Sequence, residues 1–220
     1  MPNSQDVTLE ICGWPPNGPR LRLHHERFSY AGKFVMSNTG KAVARVPDTT
    51  AFDIDHPAGK RDPADTTTDL PYQRDVVAAV AFNEDRTDPS TLWLRYVTVD
   101  RAVRGQGLGP RLIAFVRDAA LDRGYDGLKI AVNNPYAYDA LWKAGFGFTG
   151  ETTGLAELVL VYPSESAEAT YRRGLEQFSE RDLTDDERSF LERRLEDGPP
   201  GRPYDADPES DADTTASETG

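Results

Sequence analysis

A single cysteine, Cys12, occurs in the 220 residues, so an internal disulfide is excluded. The three histidines are scattered and show no ligand spacing with that cysteine, so no metal constellation is read. Cys12, in an apolar near-strand context, reads as a small core residue. Long hydrophobic runs are also missing. None approaches the ~18–20 residues that span a bilayer, and no membrane association is expected. The opening Met1-Pro-Asn-Ser-Gln-Asp6 has neither a basic stretch nor an apolar one, so it does not read as a secretory signal. A soluble, cytoplasmic protein is expected.

Lysine is scarce, with five against 20 arginines, and acids outnumber bases 37 to 25. The Lys/Arg clusters needed on a nucleic-acid backbone are missing, so no nucleic-acid partner is expected. The net charge is −12, and much of it lies late in the chain: from Glu196 to Gly220 eight acids face one base, Arg202. Acid surplus with little lysine fits a protein adapted to high salt, as in a halophilic archaeon. A GC-rich coding bias plus one acidic tail is the alternative.

The pattern along the chain is strands first, then alternation. Val7–Cys12 reads as a strand, followed by the breaker Gly13-Trp-Pro-Pro-Asn-Gly-Pro19. Leu21–Tyr30 and Lys33–Met36 read as extended, and Ala42–Val46 as a short strand. Residues 56–71 are polar and turn-rich, an exposed loop. Asp75–Phe82 and Thr91–Asp100 form an apolar hairpin pair. Leu108, Leu112, Phe115, Val116 and Ala119 recur at helical spacing, and Gly124 stops that helix. Leu128–Val132 is an apolar strand, and Asn134-Pro135 is an N-cap with proline at the first helical position. That helix reaches about Ala144. Leu155–Tyr162 is a further strand.

Ser164–Phe178 and Thr184–Leu195 are amphipathic, the latter opened by the capping box Thr184-Asp-Asp-Glu187. This order predicts an α/β (α+β) domain with a mixed, mostly antiparallel sheet flanked by helices, spanning residues 1–162. Residues 163–195 would form a helical extension, capping its own sheet or making a homodimer contact. Residues 196–220, with little apolar content, would form a disordered acidic tail.

The chemistry concentrates in Arg104-Gly-Gln-Gly-Leu-Gly109, between the strand ending at Val99 and the next helix. Glycine lets the chain turn tightly and approach a ligand. The first helical N–H groups have no helical partners and face an anion, helped by the dipole. A pyrophosphate suits such a turn, and Arg104 adds a forked donor. A P-loop is excluded because Pro110-Arg111 stands where Gly-Lys-Ser/Thr would be needed. A dinucleotide fingerprint is excluded because the spacing is G-x-G-x-G. A kinase loop is excluded because the turn enters a helix.

The segment Val99–Gly109 resembles the acetyl-CoA signature of the GNAT N-acetyltransferase family, Arg/Gln-x-x-Gly-x-Gly/Ala. Asn134-Pro-Tyr-Ala137, followed by Lys143-Ala-Gly-Phe146, is similar to the family's second motif. The resemblance is good over residues 91–150 and poor in the N-terminal half. It implies a GNAT-like sheet and acetyl-CoA as cofactor. Backbone groups of Val97, Thr98 and Val99 would pair with the pantetheine arm. Arg104, Gly105, Gln106, Gly107, Leu108 and Gly109 would hold the pyrophosphate. Asn134 would touch the cofactor's arm while capping its helix.

Pro110 departs from the family's small hydroxyl residue and removes one N–H, for which Arg101 or Arg111 could compensate. The family's leaving-group acid is often a Tyr where Leu141 stands. Tyr138, about one turn earlier, is the substitute candidate general acid. Candidate bases are Glu84, Asp85, Asp88, Glu157 and one of His24 and His25, with a water relay as the alternative. Arg95 and Tyr96 should face opposite sides of their strand, one toward the ligand groove. The implied activity is acetyl transfer to an amine by direct attack. The acceptor would be a small amine, an amino acid, an antibiotic-like molecule or a protein amine. A catalytically degenerate fold acting as an acyl-CoA-binding or protein-interaction module is the alternative.

Overall fold

The computed structural model describes residues 7–47, 70–165 and 167–204. The strands are β1 (Thr8–Gly13), β2 (Gly40–Arg45), β3 (Val76–Glu84), β4 (Thr91–Val99), β5 (Gly127–Val132), β6 (Gly147–Thr152) and β7 (Leu158–Tyr162). The helices are α1 (Leu108–Asp122), α2 (Pro135–Lys143), α3 (Glu168–Glu176) and α4 (Asp185–Asp197). The strands form one sheet in the order β1-β2-β3-β4-β5-β7-β6. Every pairing is antiparallel except β4 with β5. That parallel pair needs a crossover, which α1 supplies. The expected mixed, mostly antiparallel sheet with flanking helices is what the chain forms.

The two faces of the sheet are covered differently. The helical face carries the main core, in which Leu92, Leu94 and Phe82 meet Leu112, Ile113 and Val116 of α1 and Leu141 of α2. Tyr171, Leu175 and Phe178 of the α3 region and Leu191 of α4 join the same core. The extension therefore docks on its own domain. Asp139 of α2 fixes the arrangement, because it is buried and paired with Lys143 (2.7 Å) and Arg194 of α4 (2.9 Å). Tyr171 Oη donates to the same carboxylate at 3.0 Å. Buried charge of this kind is tolerated only when partnered.

The opposite face has a smaller core of Leu21, Leu23, Phe28, Ala31 and Phe34 lying on Val43, Ala79 and Ala81. The segment 21–36 is thus not extended as expected. It runs through turns into a single 3-10 turn at Ala31–Lys33, and Arg22 alone makes a bridge, with Tyr72. Its apolar residues recur irregularly, so burial on the sheet decides its path rather than strand pairing. Cys12 is half-buried against this cluster, and burial pushes its thiol above the usual range.

Three further expectations change. β6 is an additional strand that Gly147, Gly150 and its exposed Thr and Glu residues conceal. β7 begins at Leu158 rather than Leu155, because Thr153–Ala156 makes a turn with Ala156 at φ 60°. The tail was expected to be disordered from residue 196, but α4 reaches Asp197 and residues 198–204 lie against α2. Trp142 Nε1 donates to Pro200 O (3.0 Å), and Arg202 Nε donates to Trp142 O (3.2 Å). An indole donor seeking a partner outweighs the low apolar content there. Residues 205–220 and most of the loop 56–71 lie outside the described residues. Among the described residues no helix is long and apolar enough to cross a membrane.

Gly174 of α3 packs directly on Tyr138. A Cβ there would overlap the Tyr138 hydroxyl and stand 2.7 Å from its Cζ. Gly174→Ala is expected to lose about 1–3 kcal/mol in urea unfolding. An unchanged midpoint would contradict this packing.

Candidate active site

The site begins with a fault in β4. Leu94 faces Phe82 and Tyr96 faces Ala81 on β3, so Arg95 is an extra residue and forms a bulge. On its other edge β4 pairs with β5 only from Thr91–Gly127 to Leu94–Ile130. Above that point β5 continues to pair with β7 while β4 continues with β3. The two parallel strands separate, and the β5-facing edge of Arg95–Val99 is left open. An extended ligand with amide groups fits such an edge as a strand would.

Val97 and Val99 are half-buried toward the helical core, and Thr98 is buried on the other face. Thr98 Oγ1 has no hydrogen-bond partner among the described residues. The bulge at Arg95 overturns the expected alternation: Arg95 and Tyr96 lie on the same face of the sheet, opposite Leu94. Arg95 stacks over Trp93 and donates to Asn83, while Tyr96 lies against Tyr30.

At the end of β4, Asp100 is 1% exposed and anchors the turn. Its Oδ2 accepts from Arg27 Nε (2.8 Å) and forms an ion pair with Nη2 (2.6 Å), and its Oδ1 accepts from Ala102 N (3.1 Å). Arg101 N donates to Arg27 O at 3.0 Å, and Arg104 Nη2 to Ser29 Oγ at 3.1 Å. The 24–30 segment therefore buttresses the turn from beneath. Sequence reading missed this, because 73 residues separate Arg27 from Asp100 and neither belongs to a recognisable spacing.

Gly105 and Gly107 both have φ +78°, a conformation that other residues adopt only with strain. Gly107 is the N-cap of α1 and brings no side-chain cap. Among the described residues, the N–H groups of Gly105 and Gly107 donate to no loop carbonyl. Of the other helices, α3 also begins without a side-chain cap, at Ala167, whereas α2 and α4 are capped. Asn134 Oδ1 caps α2 through Ala137 N at 2.9 Å, and Thr184 closes a capping box on α4. The uncapped start of α1, entered by two glycines at positive φ, suits an anion, worth roughly 0.3–1 kcal/mol per contact from the dipole alone. Gly109 lies where a Cβ would meet Val99 Cγ2 at 3.5 Å, so the helix sits close on β4.

Several candidate residues fall elsewhere. Tyr138, the expected acid, is enclosed in the core: it is 0% exposed, and its hydroxyl donates to Tyr171 O at 3.0 Å. The rings of Tyr171, Phe148 and Phe178 surround it, and burial pushes its phenol far above the ordinary value. The docking of α3 removed it from the groove. Leu141 is buried in the core as well.

Arg111 reaches Val7 O (3.3 Å), and Arg101 reaches Glu26 O (2.9 Å). Asp85 is paired with Lys129, and Asp88 accepts from Ser90 and Thr91 within its turn. Glu84 accepts from Tyr125, and Glu157 from Thr153. His24 is buried and accepts from Glu26 N. None of these acids stands free at the open edge of β4. Among the described residues no group of His, Cys, Asp and Glu could hold a metal ion.

An open strand edge thus leads to an uncapped glycine turn on a mixed sheet. The chain belongs to the acetyltransferase (GNAT) family, whose sequence profile matches residues 33–148. No curated protein matches it in sequence. Among solved structures it is similar to a Bacillus subtilis acetyltransferase in complex with CoA, at 14% identity, covering 56% of this chain and 75% of that one, with TM-score 0.39. It is also similar to nourseothricin acetyltransferase, at 15% identity, covering 71% and 97%, with TM-score 0.42. A third is the PaiA N-acetyltransferase of Thermoplasma acidophilum in complex with coenzyme A, at 11% identity, covering 40% and 54%, with TM-score 0.34.

Gly107→Val should place a branched side chain at a positive φ over the turn. Acetyl-CoA is then expected to raise the melting temperature of the native protein but not of the variant. An equal rise in both would contradict the placement of the phosphates.

Proposed function

We propose that the protein is an acetyl-CoA-dependent N-acetyltransferase in which a bound amine attacks the thioester directly. The observation that carries this is the continuity of the open Arg95–Val99 edge with the uncapped turn at Gly105–Gly107. The edge would take the amide groups of pantetheine, with Val97, Thr98 and Val99 supplying backbone partners. The turn from Arg104 to Gly109 would take the pyrophosphate, and Asn134 would flank the arm from the start of α2. The thioester would then lie near the mouth between β4 and β5.

The cofactor supplies the activated acyl group. The amine nitrogen forms a bond to the carbonyl carbon, and the C–S bond breaks as the tetrahedral oxyanion collapses. The amine proton passes to water or an acceptor-side base, and the sulfur leaves as a thiolate that is protonated from solvent. A thiol has a pKa of about 8.5, so departure without an acid is tolerable near neutrality. The chain's contribution is alignment of the two reactants, which can supply several kcal/mol of the barrier. With Leu141 and Tyr138 both in the core, neither of these two positions offers a phenol to the leaving sulfur.

Thermal unfolding in molar salt with acetyl-CoA, with CoA and without ligand tests the cofactor site. A ligand at ~100 times its Kd should add about 2.7 kcal/mol. Release of free thiol across a panel of amines then tests transfer. No shift with either cofactor contradicts the reading, and a shift without thiol release leaves binding alone. Tyr138→Phe should keep the turnover found for the native protein within about twofold while losing about 1 kcal/mol of stability. A hundredfold fall in turnover would restore Tyr138 as the acid.

A further inference from the structure

The C-terminal segment 198–204 approaches the glycine turn. It leaves α4, passes Trp142 through the two hydrogen bonds already described, and ends beside the start of α1. The Arg202 guanidinium also lies 4.8 Å from the Trp142 ring centroid, a cation–π contact that pins the strap to α2. Tyr204 is half-buried, and its ring packs against the main core. Its hydroxyl lies so close to Gly107 that a Cβ added there would stand 3.7 Å from the oxygen. Among the described residues that hydroxyl makes no hydrogen bond.

The turn lacks one donor, because Pro110 has no N–H. A phenol at this place is a neutral donor beside the N–H groups of Gly105 and Gly107. Its position over the N-cap glycine is where a hydroxyl would reach a phosphate seated on the turn. The core holds the ring and the Trp142 contacts hold the strap, so little ordering is required when the ligand arrives. The geometry points to Tyr204 as a phosphate-binding residue of the cofactor site, donating its hydroxyl to the pyrophosphate from a strap outside the sheet-and-helix frame. This rests on the proposed CoA site at Arg104–Gly109. The ligand class is a pyrophosphate diester such as that of CoA.

The test is binding of CoA, 3′-dephospho-CoA and pantetheine to full-length native protein and Tyr204→Phe, by calorimetry. The ring is retained, so the fold should be kept, and equal melting temperatures without ligand verify that. The expected result is about tenfold weaker binding of both CoA and 3′-dephospho-CoA by the variant, equivalent to about 1.4 kcal/mol. Pantetheine, which has no pyrophosphate, should bind both proteins equally. Unchanged or tighter CoA binding by the variant overturns the assignment. So does a loss confined to CoA, which would move Tyr204 to the 3′-phosphate, or a loss shared by pantetheine. If native protein binds none of the three, it is the CoA site itself that fails, and Tyr204 is overturned with it.

Discussion

The parallel pairing of β4 with β5 ends after four residue pairs, and the site depends on that ending. A continuous parallel pair would satisfy the backbone of Arg95–Val99 within the sheet. The bulge at Arg95 redirects β4, β5 stays with β7, and the edge between them opens. Backbone groups that a sheet would normally consume are left for a ligand. The cost is an interrupted sheet, offset by the helices on one face and the 21–34 segment on the other.

The open edge is useful only if the turn above it is held in place. Buried Asp100 does this by gripping Arg27 and Ala102, while Ser29 receives Arg104. The N-terminal segment, which looks irregular in isolation, is therefore the support of the phosphate turn. On the other side α3 and α4 lock α2 through Asp139, and thereby fix Asn134 at the start of that helix. The same docking removes Tyr138 from the groove. One packing choice thus both fixes the start of α2 and buries the Tyr138 phenol.

Local sequence rules carried much of this architecture. The hairpin of β3 and β4, the amphipathic α1, the Asn134-Pro135 start of α2 and the Thr184 capping box all have short-range signatures, and each appears where its residues indicate. So does the glycine turn, because positive φ and a missing cap are properties of the residues themselves. The features that escaped are those set by distant partners. The path of 21–36 follows burial on a sheet face, and β6 is an edge strand without an apolar pattern. The Arg27–Asp100 pair joins remote segments, and the role of Tyr138 was decided by a helix more than thirty residues later. The 198–204 strap escaped for the same reason, since its order comes from Trp142.

The central claim is that backbone N–H groups of the turn, together with the open edge of β4, receive acetyl-CoA. Amide hydrogen exchange of the full chain, followed residue by residue with and without saturating acetyl-CoA, measures this most directly. The account predicts slowed exchange concentrated at Gly105–Gly109 and along Tyr96–Val99. Slowed exchange elsewhere with these segments unchanged, or no change anywhere at saturating ligand, would contradict it.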